Sequence, residues 1–143
     1  MIRPAVPGDV GELYAMVCEL AEFEGMADQV VCTEDDLHQV LFSPEAVVHG
    51  SVAEADDGSV AGHALWYRTF STFLGQTGIW LEDLYVRPAY RRQGHAIALM
   101  ADLRSRTSGR VEWEVLEWNA DAIDFYQHLG ARPMAGWTRY RWL

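Results

Sequence analysis

The apolar positions switch period several times along the chain, and each switch predicts an element. Ile2 to Ala5 alternates briefly before Pro7-Gly8 and reads as a first strand. From Asp9 the apolar residues fall at Val10, Leu13, Ala15-Met16-Val17, Leu20 and Phe23, the spacing of one helical face. Thr33 followed by Glu34-Asp35-Asp36 reads as an N-cap and an acidic first turn, which suits the positive end of a helix. That helix carries Leu37, Val40 and Leu41 and stops at Ser43-Pro44. Ala46 to Glu54 and Ser59 to Arg68 read as strands joined at Asp56-Asp57-Gly58. Residues 70–78, with two glycines and several Ser and Thr, read as a loop, and Ile79 to Val86 as a strand ended by Arg87-Pro88.

In the last third, Gly94 opens a helix carrying Ile97, Ala98, Met100-Ala101 and Leu103, closed at Ser108-Gly109. Val111, Trp113 and Val115 alternate with Glu112 and Glu114 as a half-buried strand. Asn119 caps a final helix that Gly130 ends, and Ala131 to Leu143 is expected to hold one or two more strands. Strands and helices intermingle without repeats or linkers. The expected fold class is therefore mixed α/β around one sheet, in a single domain covering residues 1–143.

Composition narrows the chemistry. All 11 basic residues are Arg, so neither a P-loop lysine nor a Schiff-base lysine is available. The net charge of −10 is unevenly spread. Residues 1–83 hold 15 acids and two arginines, whereas residues 84–143 hold six acids and nine arginines. An acidic front half disfavours nucleic acid and suits a cationic ligand, while the arginine-rich remainder suits an anionic one. Acidic surfaces also simply keep proteins soluble. Cys18 and Cys32 form no disulfide framework, and the five histidines show no ligand spacing, so no metal is expected. No stretch is long and apolar enough to span a bilayer, and Met1 to Val10 lacks a signal-peptide core. A soluble cytoplasmic protein with no membrane partner is the expectation.

The stretch Trp80-Leu-Glu-Asp-Leu-Tyr-Val-Arg-Pro-Ala-Tyr-Arg-Arg-Gln-Gly-His-Ala96 is a strand, a basic turn and a helix start. Free amides at a helix N-terminus make an anion site, Gly94 allows close approach, and Arg91 and Arg92 add charge. An ordinary surface turn with solvated arginines has the same composition. No Gly-x-Gly occurs, which excludes a dinucleotide fingerprint.

Arg91-Arg92-Gln93-Gly94-His95-Ala96 matches [RQ]-x-x-G-x-[GA], and here the chain resembles the GNAT N-acetyltransferase superfamily. Ile2-Arg-Pro-Ala5, Glu19-Leu-Ala-Glu-Phe-Glu24, Leu81-Glu-Asp83, Glu117-Trp-Asn119 and Phe125-Tyr126 with Gly130-Ala131 extend the likeness to its spermidine/spermine and thialysine acetyltransferase branch, over nearly the whole chain. The resemblance implies a mostly antiparallel sheet with a splayed fourth strand and helices on both faces. It implies acetyl-CoA as co-substrate, its pyrophosphate on the turn at Arg91, Arg92, Gln93, Gly94, His95, Ala96 and Ile97, and its pantetheine along Leu84, Tyr85 and Val86. His95 can equally be a spectator. Asn119, with Ala120, Asp121 and Ala122, would border the pantetheine, although a plain N-cap also explains Asn119.

The same resemblance gives Tyr126 the protonation of the departing thiolate. A phenol with pKa near 10 has a proton to give at neutral pH. Glu82 would help deprotonate the amine, and strand alternation lets only one of Glu82 and Asp83 face the site. Phe23 and Glu24 would line the amine channel, and Glu112, Trp113 and Glu114 would touch substrate or form an exposed face. In polyamine acetyltransferases of this branch further acids grip distant ammonium groups. Here Ser71-Thr72-Phe73 and Ala135 stand in those regions, which weakens the grip on a long polyamine and leaves a diamine, a polyamine or a lysine-like amine open as the acceptor. A homodimer is the expected assembly. Two other readings stay open: a non-catalytic acyl-CoA-binding module, against which Glu82 and Tyr126 argue, and an acetyltransferase acting on a protein amine.

Overall fold

The computed structural model describes all residues, Met1–Leu143. They group into two compact units, residues 1–113 and 114–143. The first contains strands β1 (Ile2–Pro4), β2 (His49–Glu54), β3 (Val60–Ser71), β4 (Gln76–Val86) and β5 (Val111–Glu112) with helices α1 (Val10–Phe23), α2 (Glu34–Phe42) and α3 (His95–Ser105). The second contains helix α4 (Ala120–His128). No helix is long and apolar enough to cross a membrane.

The sheet runs β1-β2-β3-β4-β5, antiparallel throughout except for the parallel pair β4–β5. One sheet face carries Val52, His63, Leu65 and Tyr85, which pack with Leu13 and Met16 of α1 and Leu37 and Leu41 of α2 as the core. The other face meets α3: the Trp66 indole N–H donates to Ser51 Oγ, which in turn donates to Asp102 Oδ2 of α3 at 2.9 Å. Burying these apolar rows on two faces is what fixes the register, because a one-residue slip would turn them to solvent.

The local rules explain the helix starts. Thr33 Oγ1 accepts from the Asp36 amide and Asp36 Oδ2 accepts from the Thr33 amide, a complete capping box. Arg3 ties β1 to Asp9 and Glu54, and holds the Asp9 carboxyl below the usual carboxylate range.

Four expectations need correction. The strand expected from Ala46 begins only at His49, because the amides of Val47 and Val48 both donate to the Val40 carbonyl and close α2 instead. The loop expected over 70–78 is mostly strand. Ser71 pairs with Gln76, and only Thr72 to Gly75 turn, with the Gly75 amide on the Ser71 carbonyl. Gly78 pairs with Thr69 within β4, and it is a glycine there because a Cβ would lie 2.5 Å from the Arg110 carbonyl oxygen, where the chain enters β5. That fifth strand stops at Glu112 rather than Val115, and residues 131–143 form no strand.

Candidate active site

β4 and β5 pair only at Ile79–Val111 and Trp80–Glu112. From Leu81 to Val86 no strand covers the outer edge of β4, so a run of backbone groups is left for another partner. Parallel strands that diverge after one or two residues splay apart in this way, as the resemblance implied.

At the start of that open edge β4 is irregular. Trp66 pairs with Leu81 and Leu65 with Asp83, so Glu82 is an extra residue, a β-bulge. Strict alternation fails here. Leu81 keeps the α3 face, Glu82 is exposed, and Asp83 turns to the face of Leu65 and Tyr85, under α1 and the segment that follows it. Asp83 is half-buried, and burial, with Glu82 and Glu24 nearby, pushes its carboxyl up to about 6. Burial also raises the Glu24 carboxyl, and raises the Cys32 thiol, on which the charges of Asp36 and Asp83 also act. The structure thus gathers Glu24, Glu82 and Asp83, whereas the sequence placed the deprotonating carboxylate at Glu82 and let only one of Glu82 and Asp83 face the site.

At the far end of the open edge, Pro88 to Tyr90 makes one tight turn and the chain then passes through two left-handed residues, Arg92 (φ 61°) and Gly94 (φ 86°). At Gly94 this costs nothing sterically, but at Arg92 it is strained. The first helical bond runs from the Ala98 amide to the Gly94 carbonyl, so His95, Ala96 and Ile97 have amides with no partner in α3. His95 Nε2 is buried beside them without a hydrogen-bond partner, and the ring meets Tyr90 edge-on. Unsatisfied donors at a helix N-terminus with open space at Gly94 fit a phosphate-bearing ligand.

Arg91 behaves differently from its neighbours. Its Nε donates to the Val86 carbonyl at 2.9 Å, and its guanidinium carbon lies 5.9 Å from the Phe23 ring centre and 5.7 Å from that of Tyr85. It also lines a cavity of about 380 Å³ with Glu19, Glu22, Phe23, Tyr85 and Pro88. Leu84 is half-buried, while the side chains of Tyr85 and Val86 are buried, so these two can offer a ligand only their backbone on the open edge. Burial and Glu19 raise the Tyr85 phenol. One sequence signal could have found this cavity: Glu19, Glu22 and Glu24 crowd the C-terminal end of a helix, where the dipole disfavours carboxylates.

Glu112 and Trp113 are half-buried at the end of the first unit. In the second, Glu114 pairs with Arg139. Asn119 Oδ1 accepts from the Ala122 amide at 3.3 Å and caps α4, whose first turn holds Ala120, Asp121 and Ala122. Tyr126 follows two turns later, tilted against Phe125 at 5.4 Å between ring centres. No group of three or more His, Cys, Asp or Glu is arranged to hold a metal ion.

Comparison with known proteins agrees with this architecture. Residues 13–131 match the Acetyltransferase (GNAT) family. The thialysine N-epsilon-acetyltransferase of Sus scrofa is 36% identical over 155 residues, covering 99% of this chain and 91% of the relative. The L-ornithine N5-acetyltransferase NATA1 of Arabidopsis thaliana is 27% identical over 188 residues, covering 98% and 82%. A crystal structure described as a probable acetyltransferase superposes with a TM-score of 0.81 at 22% identity, covering 100% of this chain and 97% of that one. A family match across most of the chain and a relative above a third identical over nearly its full length leave one assignment: this protein belongs to the GNAT acetyltransferase family and is an N-acetyltransferase.

Proposed function

We propose that the protein transfers acetyl from acetyl-CoA directly to a primary amine of a small cationic substrate, a diamine or lysine-like amine. The observation that carries this reading is the arrangement along β4: an acidic trio at Glu24, Glu82 and Asp83, an open edge at Leu84 to Val86, and a donor-rich turn at Arg92 to Ile97. Both ends of the reaction need what those ends offer. The turn amides bind the pyrophosphate, and the open edge takes the pantetheine as an added strand. The thioester supplies the acetyl group.

The amine arrives as an ammonium with pKa near 10.4 and cannot attack until it loses its proton. Glu24 and Glu82 attract the cation, and Asp83 accepts the proton, directly or through water relayed by Glu82. A carboxyl raised to about 6 is a better acceptor than an ordinary one and stays ionised at neutral pH. Phe23, Glu112, Trp113 and Glu114 border the amine. On α4, Asn119 to Ala122 steady the pantetheine and the Tyr126 phenol returns a proton to sulfur as the carbon–sulfur bond breaks. No covalent enzyme intermediate is required.

The acceptors in the names of the two relatives are diamino acids with a terminal amine, which favours a short substrate over a long polyamine. Ser71-Thr72-Phe73 and Ala135 agree, since none carries a charge for a distant ammonium. The family match spans the boundary between the two units and supports one catalytic domain over 1–143. We also infer a homodimer, supported by the exposed apolar side chains of Phe70, Phe73 and Leu74 at the β3–β4 turn. A thiol-release screen over diamines, polyamines, diamino acids and aminoglycosides tests the reading. Release with short primary amines is the expected result, and no release with any amine overturns it.

A further inference from the structure

We propose that the pocket beside Trp66, where β2 begins, binds a small organic carboxylate, its anionic head on Arg68, Arg106 and His49 and a short apolar tail against Leu41, Phe42 and Val48. The pocket lies at the C-terminal end of α3, about 16 Å along the helix from the turn that opens it. Trp66 points to the α3 face of the sheet, whereas Asp83 lies on the α1 face. This place is therefore separate from both ends of the acetyl-transfer site.

Its cationic half stands out in an acidic region. Residues 1–83 hold only two arginines. One of them, Arg68, meets Arg106 over a single ring: their guanidinium carbons lie 5.2 Å and 5.4 Å from the Trp66 ring centre. His49, the residue paired with Trp66 on β2, stacks on the indole at 4.4 Å between ring centres. Two like charges this close repel, and the one ion pair among them is Arg106 with Asp102 at 3.0 Å. The cluster keeps a net positive charge that a bound anion would neutralise. Burial, with the charges of Arg68 and Arg106, holds the His49 imidazole below its ordinary value, so at neutral pH it is uncharged and has one N–H to donate.

The donors are aimed but not used up. Arg68 gives Nη1 to the Arg106 carbonyl at 3.0 Å, at the end of α3, and its Nε and Nη2 have no partner in the protein. Arg106 gives Nε and Nη2 to Asp102 and keeps Nη1. Asp102 also accepts from Ser51 at 2.9 Å, and Ser51 accepts from the Trp66 indole N–H at 3.3 Å. This run of bonds holds ring and guanidinium in place before a ligand arrives, which lowers the entropy lost on binding. Capping α3 needs one cation, not two flanked by an imidazole.

The rest of the pocket decides the class of anion. It encloses about 120 Å³ and runs from His49, Trp66 and Arg106 to Leu41, Phe42 and Val48. A phosphate, charged on every side, would lose hydration against the three apolar side chains and gain nothing from them. A monocarboxylate with a tail of a few carbons carries its charge at one end and its methylenes at the other, and it fits a pocket of that size and polarity.

Butyrate is the probe, with inorganic phosphate and chloride at matched ionic strength as comparisons, all on the whole protein. The ring-proton NMR signal of His49, identified by its loss in His49→Gln, should shift saturably with butyrate and not with chloride. Phosphate should bind about tenfold more weakly or less well still. Arg68→Gln should raise the butyrate dissociation constant by about tenfold, the worth of one charge-assisted contact, and Arg68→Lys should restore part of the loss. Arg68 is exposed, so the variant should fold as the parent does, and the titration of the unaltered protein decides the matter if it does not. No saturable shift with butyrate, a response to phosphate that butyrate does not share, or an unchanged affinity in folded Arg68→Gln overturns the proposal.

Discussion

Asp83 has an ionisation cost that function can use. Its carboxyl titrates near 6, above the value of an unfolded aspartate, so charging it in the folded state opposes folding. The contribution to stability is therefore full at low pH and is lost as pH rises through about 6. Asp83→Asn should raise the melting temperature at pH 8 while lowering kcat/KM, a trade of stability for activity. In the parent enzyme the acidic limb of kcat/KM should rise through pH 6, and in the variant that limb should vanish. A thermal melt and a pH–rate profile of both proteins check it, and an unchanged limb would exclude Asp83 as the acceptor. Tyr126→Phe should lower turnover by about 10²–10⁴-fold with an unchanged melt, the usual worth of a positioned acid. The sequence reading gave the role to Glu82 alone, because alternation assumes a regular strand and nothing in Leu81-Glu-Asp-Leu84 marks the inserted residue that brings in Asp83 as well.

Among elements, the helices were the most legible, since Thr33, Gly94 and Asn119 act through local caps that a sequence displays directly. The strands were less so. Where β2 begins depends on the Val40 carbonyl, and how far β3 and β4 extend depends on cross-strand pairing of Thr69, Phe70 and Ser71 with residues up to nine positions away. Such pairing is tertiary and leaves no local mark on Ser, Thr and Gly. The approach of Arg91 to Phe23 spans 68 positions in sequence and was invisible for the same reason. The turn before α3 yields a two-sided prediction. Gly94→Ala forces a Cβ into φ 86° and should lower stability by roughly 1 kcal/mol or more while weakening acetyl-CoA binding. Arg92→Gly relieves φ 61° and should stabilise by a similar amount. Denaturant melts and acetyl-CoA titration of the two variants distinguish backbone strain from loss of a positive charge.

Across the whole molecule, pH should act through one buried group in particular. His63 lies in the sheet core with neither ring nitrogen hydrogen-bonded, and burial, aided by Arg87, lowers its pKa to about 4. An unfolded histidine binds its proton nearer 6.5, so the unfolded state gains protons first as pH falls. His63 should therefore subtract stability from about pH 6.5 down to about 4, against the gain from Asp83 over the lower part of that window, and His63→Leu should remove the His63 loss in a series of melts. The acidic front half predicts a second global effect. Raising salt screens its attraction for a cationic acceptor, so KM for the amine should rise with ionic strength. Sedimentation giving about twice the 16.2 kDa chain mass would support the homodimer.

The extra residue at Glu82 makes strand length, and not only residue identity, a determinant of chemistry. A chain shortened by one residue between Trp80 and Leu84 could keep every downstream ladder bond yet present a single carboxylate where two now serve different sides. Removing or adding one residue at this spot should therefore change the acidic lining that meets the amine while leaving the turn before α3 untouched.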